Sequence, residues 1–174
     1  MSNVGRVRAG AIAAVTLVVA LTACGTAVGT EQSTTATTTA TTGTTAVAEP
    51  SAQEVQALFG DWNRALATGD PERVADHYAP DGVLLPTLSD NVRSDRAEIV
   101  DYFEHFLANK PSGEILESHV AVLGPDAAID AGVYRFTFAA DGTQVDARYT
   151  FAYERVDGKW LIVNHHSSAM PGKP

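Results

Sequence analysis

The sequence predicts an α+β domain over residues 51–174, in which about three helices pack on an antiparallel sheet. Between residues 51 and 107, apolar side chains recur at helical spacing behind helix-start signals. After residue 113, four segments rich in β-branched and aromatic residues are separated by turn signals. Helices followed by consecutive strands are typical of a fold whose helices cover one face of the sheet.

The helices are predicted from capping signals and apolar stripes. The first begins after Ser51, which can form a capping box with Glu54. Its stripe consists of Val55, Leu58, Phe59, Trp62 and Leu66. A short second helix is predicted over residues 71–78, because Pro71 suits a first helical turn. The third begins near Asp95, and its stripe consists of Ile99, Tyr102, Phe103, Phe106 and Leu107.

The strands are predicted from composition and from the turns that separate them. A short apolar strand is expected at residues 83–85. Four longer strands are expected at residues 115–123, 127–139, 143–155 and 160–168. Short turns containing Gly124, Gly142 and Gly158 join these four, so consecutive strands should pair antiparallel.

Side chains of the two central long strands alternate between an aromatic face and a face with one arginine per strand. The aromatic set is Tyr134, Phe136, Phe138, Tyr149, Phe151 and Tyr153. The other face carries Arg135 and Arg148, and alternation in the last strand adds His166. We predict that this second face lies under the helices and that the aromatic face points outward. Because the helices would leave this aromatic face uncovered, we predict a homodimer or higher oligomer through the outer sheet face.

The N-terminal 50 residues are predicted to form an export signal and a tether. Residues 1–23 combine Arg6 and Arg8 with a 15-residue apolar stretch, shorter than the roughly 20 residues that span a bilayer. The sequence Leu-Thr-Ala-Cys-Gly around Cys24 resembles a bacterial lipobox, which implies cleavage before Cys24, its lipidation and anchoring to the extracytoplasmic face of the membrane. The alternative is an ordinary secretory signal with an incidental cysteine. Residues 24–50 are rich in threonine and alanine and predict a disordered tether.

Composition excludes several classes of protein. The chain of 174 residues has a net charge of −9, which argues against nucleic acid as a partner. A single cysteine excludes an internal disulfide framework. The sequence contains neither a dinucleotide-binding fingerprint nor a P-loop, so no cofactor is predicted. No metal site is predicted either, because His165 and His166 should point to opposite faces of a strand.

Residues 52–171 resemble the nuclear transport factor 2-like superfamily, and within it the calcium/calmodulin-dependent protein kinase II association domain and its bacterial SgcJ/EcaC-labelled relatives. The resemblance rests on residues 148–151 (RYTF), 157–162 (DGKWLI) and 165–171 (HHSSAMP). It implies a cone-shaped curved sheet around helices, a pocket inside the cone, and dimers or higher rings. The label oxidoreductase that many bacterial relatives carry finds no cofactor motif in this sequence.

The resemblance also implies a ligand site. Arg135 and Arg148 match buried arginines that hold small carboxylates in the kinase association domain, whereas Ser167 stands where a third arginine would be. We therefore predict that Arg135, Arg148 and His166 bind a small anionic or polar molecule, such as a carboxylate, with His166 as a candidate acid or base. Further candidates for the pocket lining are Arg93, Trp62, Tyr78 and Tyr102. The alternatives are ion pairs of the arginines with acids such as Asp146 or Glu154, and ordinary core positions for the aromatic residues.

Three classes of function remain open at this point. The first is an exported lipoprotein whose pocket binds a small ligand. The second is a small-molecule enzyme, an isomerase, cyclase or hydrolase, that uses His166. The third is an oligomerisation module with a vestigial pocket. Full pairing of Arg135 and Arg148 by acids of the protein would favour the third class.

Overall fold

The computed structural model describes residues 48–172 and confirms the α+β class. The export signal, Cys24 and most of the tether lie outside the described residues, so these assignments stay predictions. The helices are α1 (Ala52–Ala67), α2 (Pro71–Ala75) and α3 (Arg96–Leu107). The strands are β1 (Tyr78–Leu85), β2 (Pro111–Gly124), β3 (Ala127–Phe138), β4 (Gln144–Val156) and β5 (Lys159–Ala169).

The helix starts follow the capping signals of the sequence. Ser51 and Glu54 form the predicted capping box of α1, and the Asp95 side chain accepts the backbone N–H of Glu98 at the start of α3. The second helix is shorter than predicted, because the chain leaves it at Ala75 and enters β1 at Tyr78. The apolar stripes of α1 and α3 form the helical half of the core.

The five strands form one sheet in the order β1-β5-β4-β3-β2. The last four strands pair antiparallel in succession, as the short turns predict. The first strand instead runs parallel to β5 at the edge of the sheet. Since α3 and the other strands separate β1 from β5 along the chain, no tight turn imposes an antiparallel pairing on them.

The predicted assignment of the two sheet faces is wrong: the aromatic face lies under the helices. Five of its six side chains are buried, and Phe138 packs half-buried against the core. Arg135, Arg148 and His166 lie on the opposite face. Burying each aromatic side chain removes roughly 150–250 Å² from water, whereas guanidinium groups under the helices would lose their hydration. The large apolar stripes of α1 and α3 therefore cover the aromatic residues.

A bulge in β5 reverses the predicted orientations of the two adjacent histidines, so that His165 points inward and His166 points outward. Ile162 pairs with Tyr153 and Asn164 pairs with Ala152, so Val163 is an extra residue in β5. Beyond this bulge the inward positions are His165 and Ser167, which are 4% and 9% exposed. A prediction that alternates side chains strictly from Trp160 is wrong here, because the extra residue at Val163 moves the later side chains to the opposite face.

None of the helices in residues 48–172 has the length and apolar character needed to cross a membrane.

Candidate functional site

A cavity of about 280 Å³ lies between the inner face of the sheet, α3 and the segment that follows β1. Most of its wall is aromatic or aliphatic. The lining residues are Trp62, Leu84, Pro86, Thr87, Leu88, Tyr102, Phe103, Phe106, Tyr134, Phe136, Phe138, Val145, Ala147, His165 and Ser167. Leu88 is 95% exposed and Val145 44% exposed, so they mark the rim. None of the described residues that line it is an Asp, Glu, Lys or Arg.

Three hydroxyl groups form the first polar part of this cavity. The Tyr134 hydroxyl of β3 donates to Ser167 Oγ of β5, and Ser167 Oγ also forms a hydrogen bond with Thr87 Oγ1. Thr87 follows Pro86 directly after β1, so the cluster joins three segments that are distant in the sequence. Burial raises the pKa of Tyr134, and this phenol stays protonated at neutral pH. The cluster therefore offers hydroxyl groups and no charge.

The imidazole of His165 is the second polar part. Its ring stacks on Phe151 with 4.0 Å between ring centroids, and the Trp62 indole lies almost perpendicular to it at 5.4 Å. Nδ1 lies 2.9 Å from the Tyr78 hydroxyl, and Nε2 is buried with no hydrogen-bond partner among residues 48–172. Burial lowers the pKa of His165 to about 3. The ring is therefore neutral at physiological pH.

Tyr102 of α3 belongs to the wall of the cavity, and burial raises the pKa of its phenol to about 12. The Arg93 guanidinium carbon lies 5.8 Å from the centroid of the Tyr102 ring. Its backbone pairs with Leu84 of β1. Arg93 thus contacts the wall from outside and is not a lining residue, so the structure does not bring it to the predicted pocket surface.

The structure separates the predicted site residues into two groups. Trp62 and Tyr102 line the cavity, while the Tyr78 hydroxyl is hydrogen-bonded to His165 and is not part of the lining. Arg148 and His166 are exposed on the outer sheet face, so the prediction that they point into the cone is wrong.

Arg135 likewise points outward and forms an ion pair there. Its Nε and Nη2 donate to the two carboxylate oxygens of Asp146 at 2.7 and 3.0 Å, and both side chains are more than a third exposed. The guanidinium holds the pKa of Asp146 below its ordinary value. For Arg135 the ion-pair alternative is the observed arrangement. Desolvation of a buried cation explains why it does not lie inside.

Four polar residues of the cavity were not predicted as such from the sequence: His165, Ser167, Thr87 and Tyr134. His165 and Ser167 belong to the C-terminal HHSSAMP segment that carries the resemblance, and only their side of the strand was assigned wrongly. Tyr134 was placed on the outer face because the aromatic face of the sheet was expected to point away from the helices. Nothing in the local sequence distinguishes Thr87, because its role depends on a contact across 80 residues.

In the part of the chain that the structure describes, no three His, Cys, Asp or Glu side chains are placed to hold a metal ion together.

Comparisons with known proteins agree with this architecture. A crystal structure from Xanthomonas campestris, described as a calcium/calmodulin dependent protein kinase II association domain, is 58% identical; the match covers 72% of this chain and 94% of that chain, with a TM-score of 0.68. The iota-carbonic anhydrase from a cyanobacterium, complexed with bicarbonate, is 21% identical, with coverages of 72% and 95% and a TM-score of 0.64.

An NTF2-like protein with a cystatin-like fold from Novosphingobium aromaticivorans is 17% identical, with coverages of 70% and 82% and a TM-score of 0.58. At identities this low, it and the carbonic anhydrase show the fold alone. The family model of the calcium/calmodulin dependent protein kinase II association domain matches residues 51–171, almost the whole described range. The chain therefore belongs to the calcium/calmodulin dependent protein kinase II association domain family.

Proposed function

We propose that the chain binds a small, mostly apolar molecule in the cavity and holds its single polar group at the hydroxyl cluster and His165. The observation that carries this proposal is the composition of the wall, which is apolar except where Thr87, Tyr134, Ser167 and His165 converge. A largely apolar cavity with a few convergent polar groups is the usual form of a small-molecule site. Its volume of about 280 Å³ suits a ligand of the size of a substituted benzene ring.

The charge of the site limits the ligand. The arginines that were predicted to hold a carboxylate lie on the outer face, so an anion would be held here by neutral hydrogen-bond donors. Hydrogen bonds to a charged group contribute about 1.5–3 kcal/mol each, which offsets part of the desolvation of a small carboxylate. A ligand with a carboxylate or carbonyl group on an apolar body therefore fits both parts of the wall.

The proposal is tested by titrating the full-length chain with benzoate and with acetophenone, followed by NMR and by calorimetry. We expect saturable binding that Ser167→Ala weakens about five- to tenfold, the effect of losing one hydrogen bond at the polar end. Ser168→Ala is the matched control, because Ser168 pairs with Arg148 on the outer face. No saturable binding of either probe, or equal affinities of both variants, would refute the proposal.

Reversible hydration of CO₂ is a second candidate function. In that reaction water adds to the carbon of CO₂, giving bicarbonate and releasing one proton. The likeness to a carbonic anhydrase that was crystallised with bicarbonate supports this candidate, as does the hydroxyl cluster that could hold bicarbonate oxygens. Stopped-flow measurement of CO₂ hydration tests it. Activity should fall in His165→Gln and Ser167→Ala and persist in the neighbouring variants His166→Gln and Ser168→Ala.

We also propose that the chain assembles through the outer sheet face. Family membership supports oligomerisation. The centre of the outer face carries small and aliphatic side chains opposite the helices, namely Ile129, Ala131, Val133, Thr150 and Ala152. A second copy could cover this patch with the same patch of its own. Sedimentation tests it: Ile129→Glu should dissociate the assembly, whereas Val156→Glu, an exposed position near the end of β4, should not.

We further propose that the chain is exported and is anchored to the membrane by a lipid on Cys24. Both assignments are supported by the lipobox-like sequence and the apolar leader. Cys24→Ala should move the protein from the membrane fraction to an unanchored or unprocessed form. Retention of the variant in membranes with an acyl group would contradict the lipobox assignment.

A further inference from the structure

The two polar parts of the cavity contain more protons than their internal hydrogen bonds use. In the hydroxyl cluster, Tyr134, Ser167 and Thr87 carry one hydroxyl proton each, three in total. Two hydrogen bonds join the three oxygens, and Tyr134 is the donor in one of them. Whichever way the bond between Ser167 and Thr87 runs, one proton is left over on one of these two cavity-lining hydroxyls.

The same count applies to Tyr78 and His165. A neutral imidazole carries one proton and the phenol carries one, whereas a single hydrogen bond joins the two residues. If the Tyr78 hydroxyl donates to Nδ1, the unused proton is on Nε2 of His165. If Nδ1–H donates instead, the phenol proton and the Nε2 lone pair are both left without partners in the interior.

The first arrangement is favoured, because each buried polar group without a partner costs about 1–3 kcal/mol and the second arrangement has one more of them. The surroundings of Tyr78 agree with it. Burial raises the pKa of Tyr78 well above its ordinary value, so the phenol keeps the proton that it donates to Nδ1.

On the basis of the proposed ligand-binding function, we propose that Tyr78 is a positioning residue that fixes the proton of His165 on Nε2. The cavity consequently selects ligands whose polar group only accepts hydrogen bonds, such as a carbonyl or a carboxylate. His165 lines the cavity and Tyr78 does not, and Nε2 is the ring nitrogen that Tyr78 leaves without a partner among the described residues. Among residues 48–172, no carboxylate or amide side chain lines the cavity to receive a proton from a ligand. A ligand with N–H or O–H groups of its own would therefore add hydrogen-bond donors to a site that already has donors without a partner.

The proton position is measured in the full-length chain without any ligand. Long-range proton–nitrogen NMR correlations at neutral pH distinguish the two neutral forms of an imidazole. The His165 signals are identified by their loss in His165→Gln, with His166→Gln as the counterpart. We expect a neutral ring with the proton on Nε2, and a mixture of both forms in Tyr78→Phe. A proton on Nδ1, or a wild-type mixture that Tyr78→Phe does not change, would overturn the inference.

The selectivity is measured with two pairs of probes that have matched shapes. Acetophenone and 1-phenylethanol differ in whether the oxygen only accepts, and benzoate and benzylamine differ in charge and in donor capacity. We expect acetophenone to bind about fivefold tighter than the alcohol and benzoate at least about tenfold tighter than the amine. The reverse order would refute the selectivity and leave the ligand-binding function standing. If no probe binds, the ligand-binding function and the selectivity both fail, while the NMR result separately decides where the proton lies.

Discussion

Acid destabilisation of the fold should depend on His165 and not on its neighbour His166. The imidazole of His165 is 4% exposed and stacked on Phe151, and burial lowers its pKa to about 3 from the ordinary 6.5. Between these two values the unfolded chain binds a proton at this residue and the folded chain does not. The stabilisation that depends on the neutral ring is therefore complete above pH 6.5 and is lost as the pH falls.

The magnitude follows from linkage. One proton taken up on unfolding changes the free energy of unfolding by about 1.4 kcal/mol for each pH unit. Between pH 6.5 and about pH 4.5, His165 thus accounts for roughly 2–3 kcal/mol of lost stability. Replacement by glutamine keeps an acceptor for the Tyr78 hydroxyl and removes the titrating group. His166 lies on the outer face, so its replacement leaves the contribution of His165 in place.

Urea denaturation at a series of pH values provides the assay. The free energy of unfolding of His165→Gln should fall less steeply with acid than that of His166→Gln, by about 1.4 kcal/mol per pH unit in this window. Carboxyl groups titrate in both variants, so their contributions cancel in the comparison. Identical slopes would refute the assignment of a buried neutral imidazole to His165. If His165→Gln does not fold, its ring proton signals in the wild-type chain decide the matter, since they should not shift between pH 8 and pH 4.5.

Three further outcomes are expected. Gly60→Ala should stabilise α1 by about 0.5–1 kcal/mol, whereas Gly132→Ala should destabilise the fold by several kcal/mol in the same denaturation assay, because its Cβ would clash with the Glu117 carbonyl oxygen. Asp130 is buried, accepts from Ser118 Oγ at 2.6 Å and has one oxygen without a partner in the described part of the chain, so Asp130→Asn should be at least about 1 kcal/mol more stable than Asp130→Ala by calorimetry. Benzoate affinity should be constant from about pH 6 to about pH 9, because the lining imidazole and buried phenols do not titrate there; a strong change would indicate a charged group in the site.

The positions of the helices, strands and turns could be predicted from the sequence far better than the question of which sheet face packs against the helices. Ser51 and Asp95 cap the helices they were expected to cap, and the four long strands lie within a few residues of their predicted bounds. Capping and turn formation depend on neighbours in the chain, so a sequence pattern contains them. The side of the sheet that receives the helices is a property of the assembled layers. Alternation alone does not specify it.

The candidate site was predicted less well for the same kind of reason. Trp62 and Tyr102 belong to helix stripes whose inner face the periodicity defines. Arg135 and Arg148 were placed inside by the choice between the two sheet faces, against the cost of desolvating two cations. The contacts of Thr87 and Tyr134 with Ser167 join positions far apart in the chain, and no local pattern indicates them.

The extra residue at Val163 decides which side chains of β5 reach the cavity. If the present sequence alternated strictly from Ile162 onward, Asn164 and His166 would point inward and His165 outward. The bulge absorbs Val163, so that Ile162 opposite Tyr153 and His165 opposite Phe151 share the inner face. Deleting Val163 should therefore remove the bulge and leave His165 and Ser167 inside, with the same partners on β4. A relative that is one residue shorter at this point can present the same imidazole and hydroxyl, and its alignment with this chain then needs a one-residue gap here.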